Sequence, residues 1–98
     1  MSKIKILIPI YNDWESVFQL VEDIDAKIYD LKHEISFLII NDSSTEEKPQ
    51  NNFDLKKISS IKIINMKKNK GHARCNAAGL KYINDKEDFD YVIPMDGD

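Results

Sequence analysis

Four short runs of apolar residues, rich in isoleucine, are separated by polar stretches along the chain. These runs cover Ile4–Ile10, Ile35–Ile40, Ile61–Met66 and Tyr91–Met95. Short, nearly continuous apolar runs are typical of strands that are buried on both faces of a parallel sheet, so we predict four strands. Because Pro9 has no N–H group to donate, we expect regular pairing of the first strand to end there.

Two stretches between these runs have the spacing of an amphipathic helix. In the first, apolar residues recur mostly three or four positions apart, which predicts a helix from Trp14 to Leu31. Asn12 or Asp13 could cap it, and Glu15 stands where the second residue of a capping box would be. The second helix is predicted from about His72 to Asn84. The small residues that would let it pack closely on a sheet are Ala73, Ala77, Ala78 and Gly79.

The segment from Asn41 to Lys57 is polar and contains Pro49, so we predict a surface loop there, with one helical turn near Leu55. The predicted order is therefore β-α-β-loop-β-α-β. This alternation favours an α/β fold with a mainly parallel four-stranded sheet flanked by helices. The carboxyl ends of such strands meet at one edge, where open α/β sheets bind their ligands.

Composition limits the function classes. The 98 residues suit a single domain, which we take as residues 1–98. A net charge of −3 argues against a general nucleic-acid binder. Seven basic residues lie between Lys56 and Arg74; they could attract a phosphate-bearing ligand, but a solvated surface is the commoner role of such residues.

Cysteine content and hydropathy bear on location. The single cysteine, Cys75, excludes an internal disulfide and fits a reducing compartment, so we expect a cytoplasmic protein in which Cys75 is a small buried hydrophobe. No apolar run approaches the roughly 18 residues that cross a bilayer. We therefore expect neither a signal peptide nor a membrane segment in this part of the protein.

Two carboxylates follow the fourth strand. Asp96 and Asp98 are separated by Gly97, which would let a phosphate approach closely. Hard oxygen ligands at this place suit a Mg²⁺ or Mn²⁺ ion that also holds a phosphate. Because Asp-Gly is also common in turns, two solvated acids are the alternative. The chain stops directly after the second acid, so we expect it to be the first part of a longer domain.

Other candidate ligand-binding residues follow the first two strands. Asp42 could accept a hydrogen bond from a ligand N–H, such as a uracil imide or the amide edge of a guanine, and strand alternation puts Ile40 on the same side. The alternative role for Asp42 is to cap a turn or helix. Tyr11 could stack on a base, although an ordinary loop tyrosine remains open. Asp13 precedes the first helix, where an acid also compensates the helix dipole.

Gly71 opens the second helix between Lys70 and Arg74. Backbone N–H groups there, together with the two cations, could hold a diphosphate, while a plain turn glycine is the alternative. The chain lacks the Gly-rich turn of a dinucleotide-binding Rossmann unit after its first strand, and it has no Walker-type phosphate loop. No Ser-His-Asp or Cys-His pairing has a suitable spacing.

Taken together, four segments resemble the N-terminal half of a family 2 glycosyltransferase, whose fold is the Rossmann-like GT-A fold. In chain order they are Ile8-Pro9-Ile10-Tyr11-Asn12-Asp13, Ile39-Ile40-Asn41-Asp42-Ser43-Ser44-Thr45, Asn69-Lys70-Gly71-His72-Ala73-Arg74 and Met95-Asp96-Gly97-Asp98. The ordered set covers nearly the whole chain. The last two segments are further similar to the branch of polyprenyl-phosphate sugar transferases of the dolichyl-phosphate mannosyltransferase type.

The resemblance implies transfer of a sugar from a UDP- or GDP-sugar to a lipid phosphate or a saccharide. It implies base and ribose contacts at Pro9, Tyr11, Asp13, Ile40 and Asp42. It also implies that Asp96 and Asp98 hold the divalent metal that bridges the donor diphosphate, with Asp96 beside the nucleotide. The acceptor site and the catalytic base would lie after residue 98. The longer protein would then act in the cytoplasm or at the cytoplasmic face of a membrane.

Two departures and one rival reading accompany the resemblance. The family usually has Glu at the position of Asp13 and Gly at the position of Ser43. A shorter acid and a changed turn could alter the contacts with the base. A non-catalytic α/β module that binds a nucleotide or phosphate for regulation stays open as the alternative. We also expect that an exposed sheet edge could lead to self-association.

Overall fold

The structure is a computed structural model that describes residues 1–28, 30–50 and 53–96. Every predicted strand and helix is present, and in the predicted order. The elements are β1 (Lys3–Ile10), α1 (Trp14–Lys27), β2 (Glu34–Asn41), β3 (Ser60–Asn65), α2 (His72–Lys86) and β4 (Tyr91–Pro94). The predicted helical turn near Leu55 is wrong, because the described residues between β2 and β3 contain no helix.

The four strands form one parallel sheet in the order β3-β2-β1-β4, which confirms the α/β fold class. β1 lies inside the sheet and pairs with both β2 and β4. At the outer edge, β4 has only four residues, and its side chains Tyr91 and Ile93 are 61% and 44% exposed. Self-association through this edge stays a prediction.

Pairing of β1 was expected to end at about Pro9, and it ends within two residues of Pro9 on both sides. The last paired residue is Ile10 toward β2 and Leu7 toward β4. The carbonyl of Leu7 accepts a hydrogen bond from the N–H of Met95, just past β4, so the backbone of Leu7 faces β4. Backbone groups alternate sides along a strand, so Pro9 also faces β4, and pairing on that side ends at Leu7. The missing N–H therefore removes no bond from the sheet.

Each face of the sheet has its own apolar core. On the face covered by α1, the buried residues include Ile6, Ile8, Ile10, Phe37, Ile39, Trp14, Val17, Phe18 and Val21. On the face covered by α2 they are Leu7, Leu38, Ile40, Cys75 and Ile83. Gly79 of α2 lies so close to the sheet that an added Cβ would overlap the side chain of Leu7. This close approach explains why α2 is rich in small residues.

α1 ends at Lys27, four residues before the predicted end at Leu31. Ile28 still packs against the core, which continues the apolar spacing, but Leu31 is 40% exposed. The chain must turn back there because Glu34 already pairs with the start of β1, its N–H donating to the carbonyl of Ser2 at 2.9 Å. The apolar periodicity therefore extends beyond the helix itself.

The predicted capping box of α1 is not formed. Asp13 occupies the position that caps the helix, but its side chain makes no capping hydrogen bond. The side chain of Asn12 instead donates to Thr45 Oγ1 and accepts from the N–H of Glu46, both at 2.9 Å. Asn12 thus joins two loops rather than starting a helix.

The connection between β2 and β3, here called the strap (described as residues 42–50 and 53–59), lies along α1 and is tied to it in three places. At its start, Trp14 Nε1 donates to the carbonyl of Glu46 at 3.1 Å. Further along, Phe53 packs edge-on against Phe18, with 5.2 Å between the ring centroids. Near its end, the backbone of the strap donates hydrogen bonds to the carboxylate of Asp25. The strap therefore follows α1 along most of the helix and contacts residues of its buried face.

Asp25 is a charged residue on the buried face of α1, and only 5% of it is exposed. Its carboxylate accepts backbone N–H bonds from Lys56, Lys57 and Ile58 at 2.8 to 2.9 Å. Burial by itself would raise the pKa of Asp25, but these three donors and the nearby charge of Lys56 outweigh it and hold that pKa below its ordinary value. The ionised form of Asp25 thus stabilises the fold.

We predict that Asp25→Asn lowers the free energy of unfolding at pH 7 by about 2 kcal/mol, because the amide leaves a buried backbone donor facing another donor. A carboxylate with a lowered pKa contributes stability above its unfolded pKa, and that contribution is lost as the pH falls through the lower, folded value. Urea titrations at pH 7 and near pH 3 should therefore show a wild-type advantage that shrinks in acid.

Asp23→Asn is the matched control, since Asp23 lies exposed on the same helix and its carboxylate accepts a hydrogen bond from the side chain of Gln19, one turn away. It should change the free energy of unfolding by less than about 0.5 kcal/mol. A similar loss in both variants would contradict the proposed role of Asp25.

Candidate functional site

The candidate residues gather at the carboxyl edge of the sheet, here called the rim (residues 11–13, 42–44, 66–71 and 95–96). Tyr11 follows β1, Asp42 follows β2 and Asp96 lies just beyond β4. Because β1 lies between β2 and β4, the ends that carry Asp42 and Asp96 are two strand spacings apart, about 10 Å. A nucleoside diphosphate could span this distance.

Asp42 is the most buried acid of the rim, with 1% of its surface exposed. Its two carboxylate oxygens accept the backbone N–H groups of Lys70 and Gly71 at 2.7 and 2.9 Å. Its own carbonyl accepts a bond from Asn69 Nδ2 at 3.2 Å. The end of β2 therefore holds the loop that leads into α2, which is the capping role that the sequence left open.

Electrostatics around Asp42 follow from this geometry. Burial would raise the pKa of Asp42, but the N–H groups of Lys70 and Gly71 and the thiol of Cys75 outweigh it and hold that pKa below its ordinary value. Burial, followed by the hydrogen bond to Asp42 and its negative charge, raises the pKa of Cys75 to about 11. Cys75 is fully buried, as predicted, and a thiol with so high a pKa is a poor nucleophile at neutral pH.

A polar network ties the loops after β1, β2 and β3 together. The N–H of Asn12 donates to Ser44 Oγ at 2.9 Å. The Asn41 side chain accepts from both the N–H and the hydroxyl of Ser44, and it donates to Asn65 Oδ1 at 2.9 Å. The position of the first rim loop thus depends on contacts with the second.

Asn12 and Ser43 have left-handed backbones, with φ of 60° and 59°. Ser43 stands where the resembling family usually has glycine, and its conformation is the one that glycine adopts most readily. The turn is therefore kept although the residue differs. Asn12 tolerates this region better than most residues and makes use of it in the loop network.

The proposed base and ribose contacts differ in exposure. Tyr11 is 39% exposed, and its N–H donates to the carboxylate of Asp13 at 3.3 Å. Asp13 is half-buried, whereas Pro9 and Ile40 are fully buried and could only shape the floor beneath a ligand. Of these four residues, Tyr11 is the one most open to a flat ring.

Gly71 and Arg74 lie where the second helix begins. Gly71 precedes α2 with φ of +88°, a conformation that favours glycine, and Arg74 is exposed in the first turn. The N–H of Gly71 is already bonded to Asp42. A diphosphate could therefore use the Arg74 side chain there, but not the N–H groups of Lys70 and Gly71.

Asp96 is exposed at the rim, which leaves its carboxylate accessible. Its predicted metal-binding partner, Asp98, and the intervening Gly97 lie outside the described residues. Within residues 1–28, 30–50 and 53–96, no three His, Cys, Asp or Glu side chains form a group that could hold a metal ion. An accessible carboxylate oxygen is nevertheless the donor that Mg²⁺ and Mn²⁺ prefer.

Two cavities flank the start of the strap. The first, of about 510 Å³, is lined by Asn12, Asp13, Trp14, Glu15, Ser16, Glu46, Glu47 and Pro49. The second, of about 370 Å³, reaches from Trp14 to Asn65. Neither is lined by Tyr11, Asp42 or Asp96. Four carboxylates around the first would repel a diphosphate, so the rim remains the better candidate.

Sequence patterns missed the structural roles of three residues. Asn12 was read only as a cap, and Asp25 was passed over although it interrupts an apolar helix face. Asn76 of α2 has a buried side-chain oxygen with no hydrogen-bond partner in the described part of the chain. A polar residue within a buried stripe was the available signal for Asp25 and Asn76.

The fold and the rim define an α/β domain with a parallel sheet and an accessible carboxyl edge, and a family comparison specifies it further. The model of glycosyl transferase family 2 matches residues 5–98. The chain therefore belongs to glycosyl transferase family 2, and its domain is one for glycosyl transfer.

Neither helix has the length and hydropathy needed to cross a bilayer, and the described residues contain no other candidate.

We predict that Asp42→Asn lowers the free energy of unfolding by about 2 kcal/mol in the absence of any ligand, because one backbone donor keeps only a neutral amide oxygen and the other faces an NH2 group. Asp96→Asn, at an exposed rim position, should cost less than about 0.5 kcal/mol. Chemical denaturation of both variants measures the difference. Equal stability of the two would mean that Asp42 does not hold the loop before α2.

We predict that Ser43→Gly has a free energy of unfolding about 1 kcal/mol higher than Ser43→Ala, because the Cβ atom of alanine is sterically unfavourable in a left-handed backbone. Both changes remove the hydroxyl, so the comparison isolates the backbone conformation. Thermal unfolding of the two variants provides the measurement. If alanine is equal or better, the turn is not left-handed in solution.

Proposed function

We propose that the protein transfers a sugar from a UDP- or GDP-sugar to an acceptor with the help of Mg²⁺ or Mn²⁺, and that this chain supplies the donor and metal sites. The observation that carries the proposal is the convergence of Tyr11, Asp42 and Asp96 on one rim in a chain of glycosyl transferase family 2. Open α/β sheets bind ligands at this edge.

In this proposal the nucleoside occupies the β1 and β2 part of the rim. Tyr11 stacks against the base, Asp13 contacts the ribose, and Pro9 and Ile40 form the apolar floor. Asp42 is 1% exposed and already accepts two backbone bonds. Its first contribution is therefore to fix the Lys70–Gly71 segment beside the base. A direct bond from a base N–H would require the rim to open.

The diphosphate lies toward the β4 part of the rim. Asp96 and Asp98 would hold the metal ion there, and Arg74 would approach the phosphates from the α2 side. When bound, the metal acts as a Lewis acid that neutralises the leaving diphosphate. The carboxylate of Asp96 keeps the donor oriented, and Tyr11 limits its movement along the rim.

The acceptor is proposed to be a lipid phosphate or a saccharide, and the polyprenyl-phosphate branch of the family is the proposed subfamily. We further propose that the reaction takes place in the cytoplasm or at the cytoplasmic face of a membrane. Both statements rest on the motif resemblance.

We predict that calorimetric titration with UDP and GDP detects binding that depends on Mn²⁺. Removing the metal should weaken binding by about tenfold or more, equivalent to at least about 1.4 kcal/mol. Asp98→Ala should produce the same loss in the presence of Mn²⁺, because the diphosphate would no longer be bridged to the chain.

Asp85→Ala is the matched control, since Asp85 is an exposed acid in the last turn of α2, away from the rim. It should leave nucleotide affinity unchanged. Binding that is insensitive to Mn²⁺ and to Asp98→Ala would contradict the proposal and favour a regulatory nucleotide-binding module instead.

A further inference from the structure

The segment that joins β3 to α2 concentrates positive charge in a chain that is acidic as a whole. Residues 67–74 contain three lysines and one arginine but no acid. The segment carries +4 and the whole chain −3, so the remainder carries −7. Positive charge is therefore concentrated in one segment, which lies at the β3 end of the rim.

These four cations, here called the basic segment, are Lys67, Lys68, Lys70 and Arg74. All four are exposed. The ion pairs among the described residues involve other lysines, namely Lys3, Lys56 and Lys62. The charges of the basic segment are thus not neutralised by neighbouring acids in that part of the chain.

Hydrogen bonds to the end of β2 fix the backbone that carries the basic segment. The N–H of Met66 donates to the carbonyl of Asn41 at 2.8 Å, and Asn69 donates to the carbonyl of Asp42. The N–H groups of Lys70 and Gly71 donate hydrogen bonds to the carboxylate of Asp42. Little backbone entropy would therefore be lost when the lysine side chains meet a partner.

We propose that the basic segment docks the protein on the surface of an anionic lipid bilayer. A single bound phosphate would need convergent donors, but Asp42 already occupies the N–H groups of Lys70 and Gly71. Cations spread along a loop instead fit a plane of many phosphates, and each contributes separately to attraction by such a surface. Arg74 is shared with the proposed diphosphate site, whereas Lys67 and Lys68 have no part in nucleotide binding as proposed.

The residue types of the basic segment favour a bilayer over a nucleic acid. Residues 67–74 include no aromatic side chain that could stack on a base. The protein extends over 38 × 29 × 18 Å, while the Debye length in about 0.1 M salt is roughly 10 Å. Acids more than about 10 Å from the basic segment therefore oppose docking only weakly.

The test is co-sedimentation with phosphatidylcholine vesicles that contain either no anionic lipid or about 30% phosphatidylglycerol. Binding should be confined to the anionic vesicles and should weaken as salt is raised. The double variant Lys67→Gln, Lys68→Gln should bind about 25-fold more weakly, since each cation contributes about fivefold. Both lysines lie at the β3 end of the rim, outside the β1, β2 and β4 parts where the nucleotide is proposed to bind, so binding of UDP or GDP should not change.

The matched control is Lys27→Gln, Lys32→Gln, which makes the same change in net charge at two exposed sites, at the end of α1 and just before β2, at the edge of the sheet opposite the rim. It should bind within about twofold of the unmodified chain, because attraction to the surface is local. Equal loss in both double variants, or equal binding to both kinds of vesicle, would overturn the proposal.

Competition separates a bilayer from other phosphate sources. Inorganic phosphate, added at constant ionic strength, should not displace the protein from vesicles. Displacement by millimolar phosphate would assign a discrete phosphate site and overturn the proposal. Tighter binding to single-stranded RNA than to anionic vesicles would also overturn it.

Discussion

The arrangement of the rim depends on one buried negative charge. Asp42 lies at the end of a fully buried strand, where an unsatisfied carboxylate would be costly. Two backbone N–H groups from the residues just before α2 satisfy it, so the end of β2 and the beginning of α2 are held together. This single contact sets where α2 starts, directs the basic segment outward and closes one end of the proposed nucleotide site. It also makes Asp42 a structural residue before any ligand is present.

A second buried carboxylate that binds backbone N–H groups lies on the opposite face of the sheet. Asp25 uses one carboxylate to satisfy three backbone donors just before β3, and so joins α1 to a segment more than thirty positions away. Neither helix has a side-chain cap of its own at its first turn. In this small domain, buried acids that bind backbone N–H groups fix the positions of long connections. Apolar packing holds the helices on the sheet, and the acids determine where the loops lie.

Local patterns predicted the elements well because each strand is a continuous apolar run and each helix keeps a helical spacing. The end of α1 was misplaced because Ile28 prolongs that spacing beyond the turn into β2. The roles of Asp25 and Asn12 could not be predicted, since their partners are distant in sequence and come together only in the folded chain. The strand order was equally hidden, because no local pattern records which strands are neighbours. The rim residues were predicted from motif order, and their exposure, especially the burial of Asp42, required the structure.

The strap is attached to α1 on both sides of Pro49, first at Glu46 and then at Phe53 and at the backbone that Asp25 holds. The length of the connection is therefore separate from the placement of β3. The entropy cost of a longer loop grows only with the logarithm of its length. Extra residues after Pro49 would therefore lengthen a surface excursion without shifting the register of the sheet. Related proteins could vary widely in this region, acquiring new surface there, while the rim keeps its geometry.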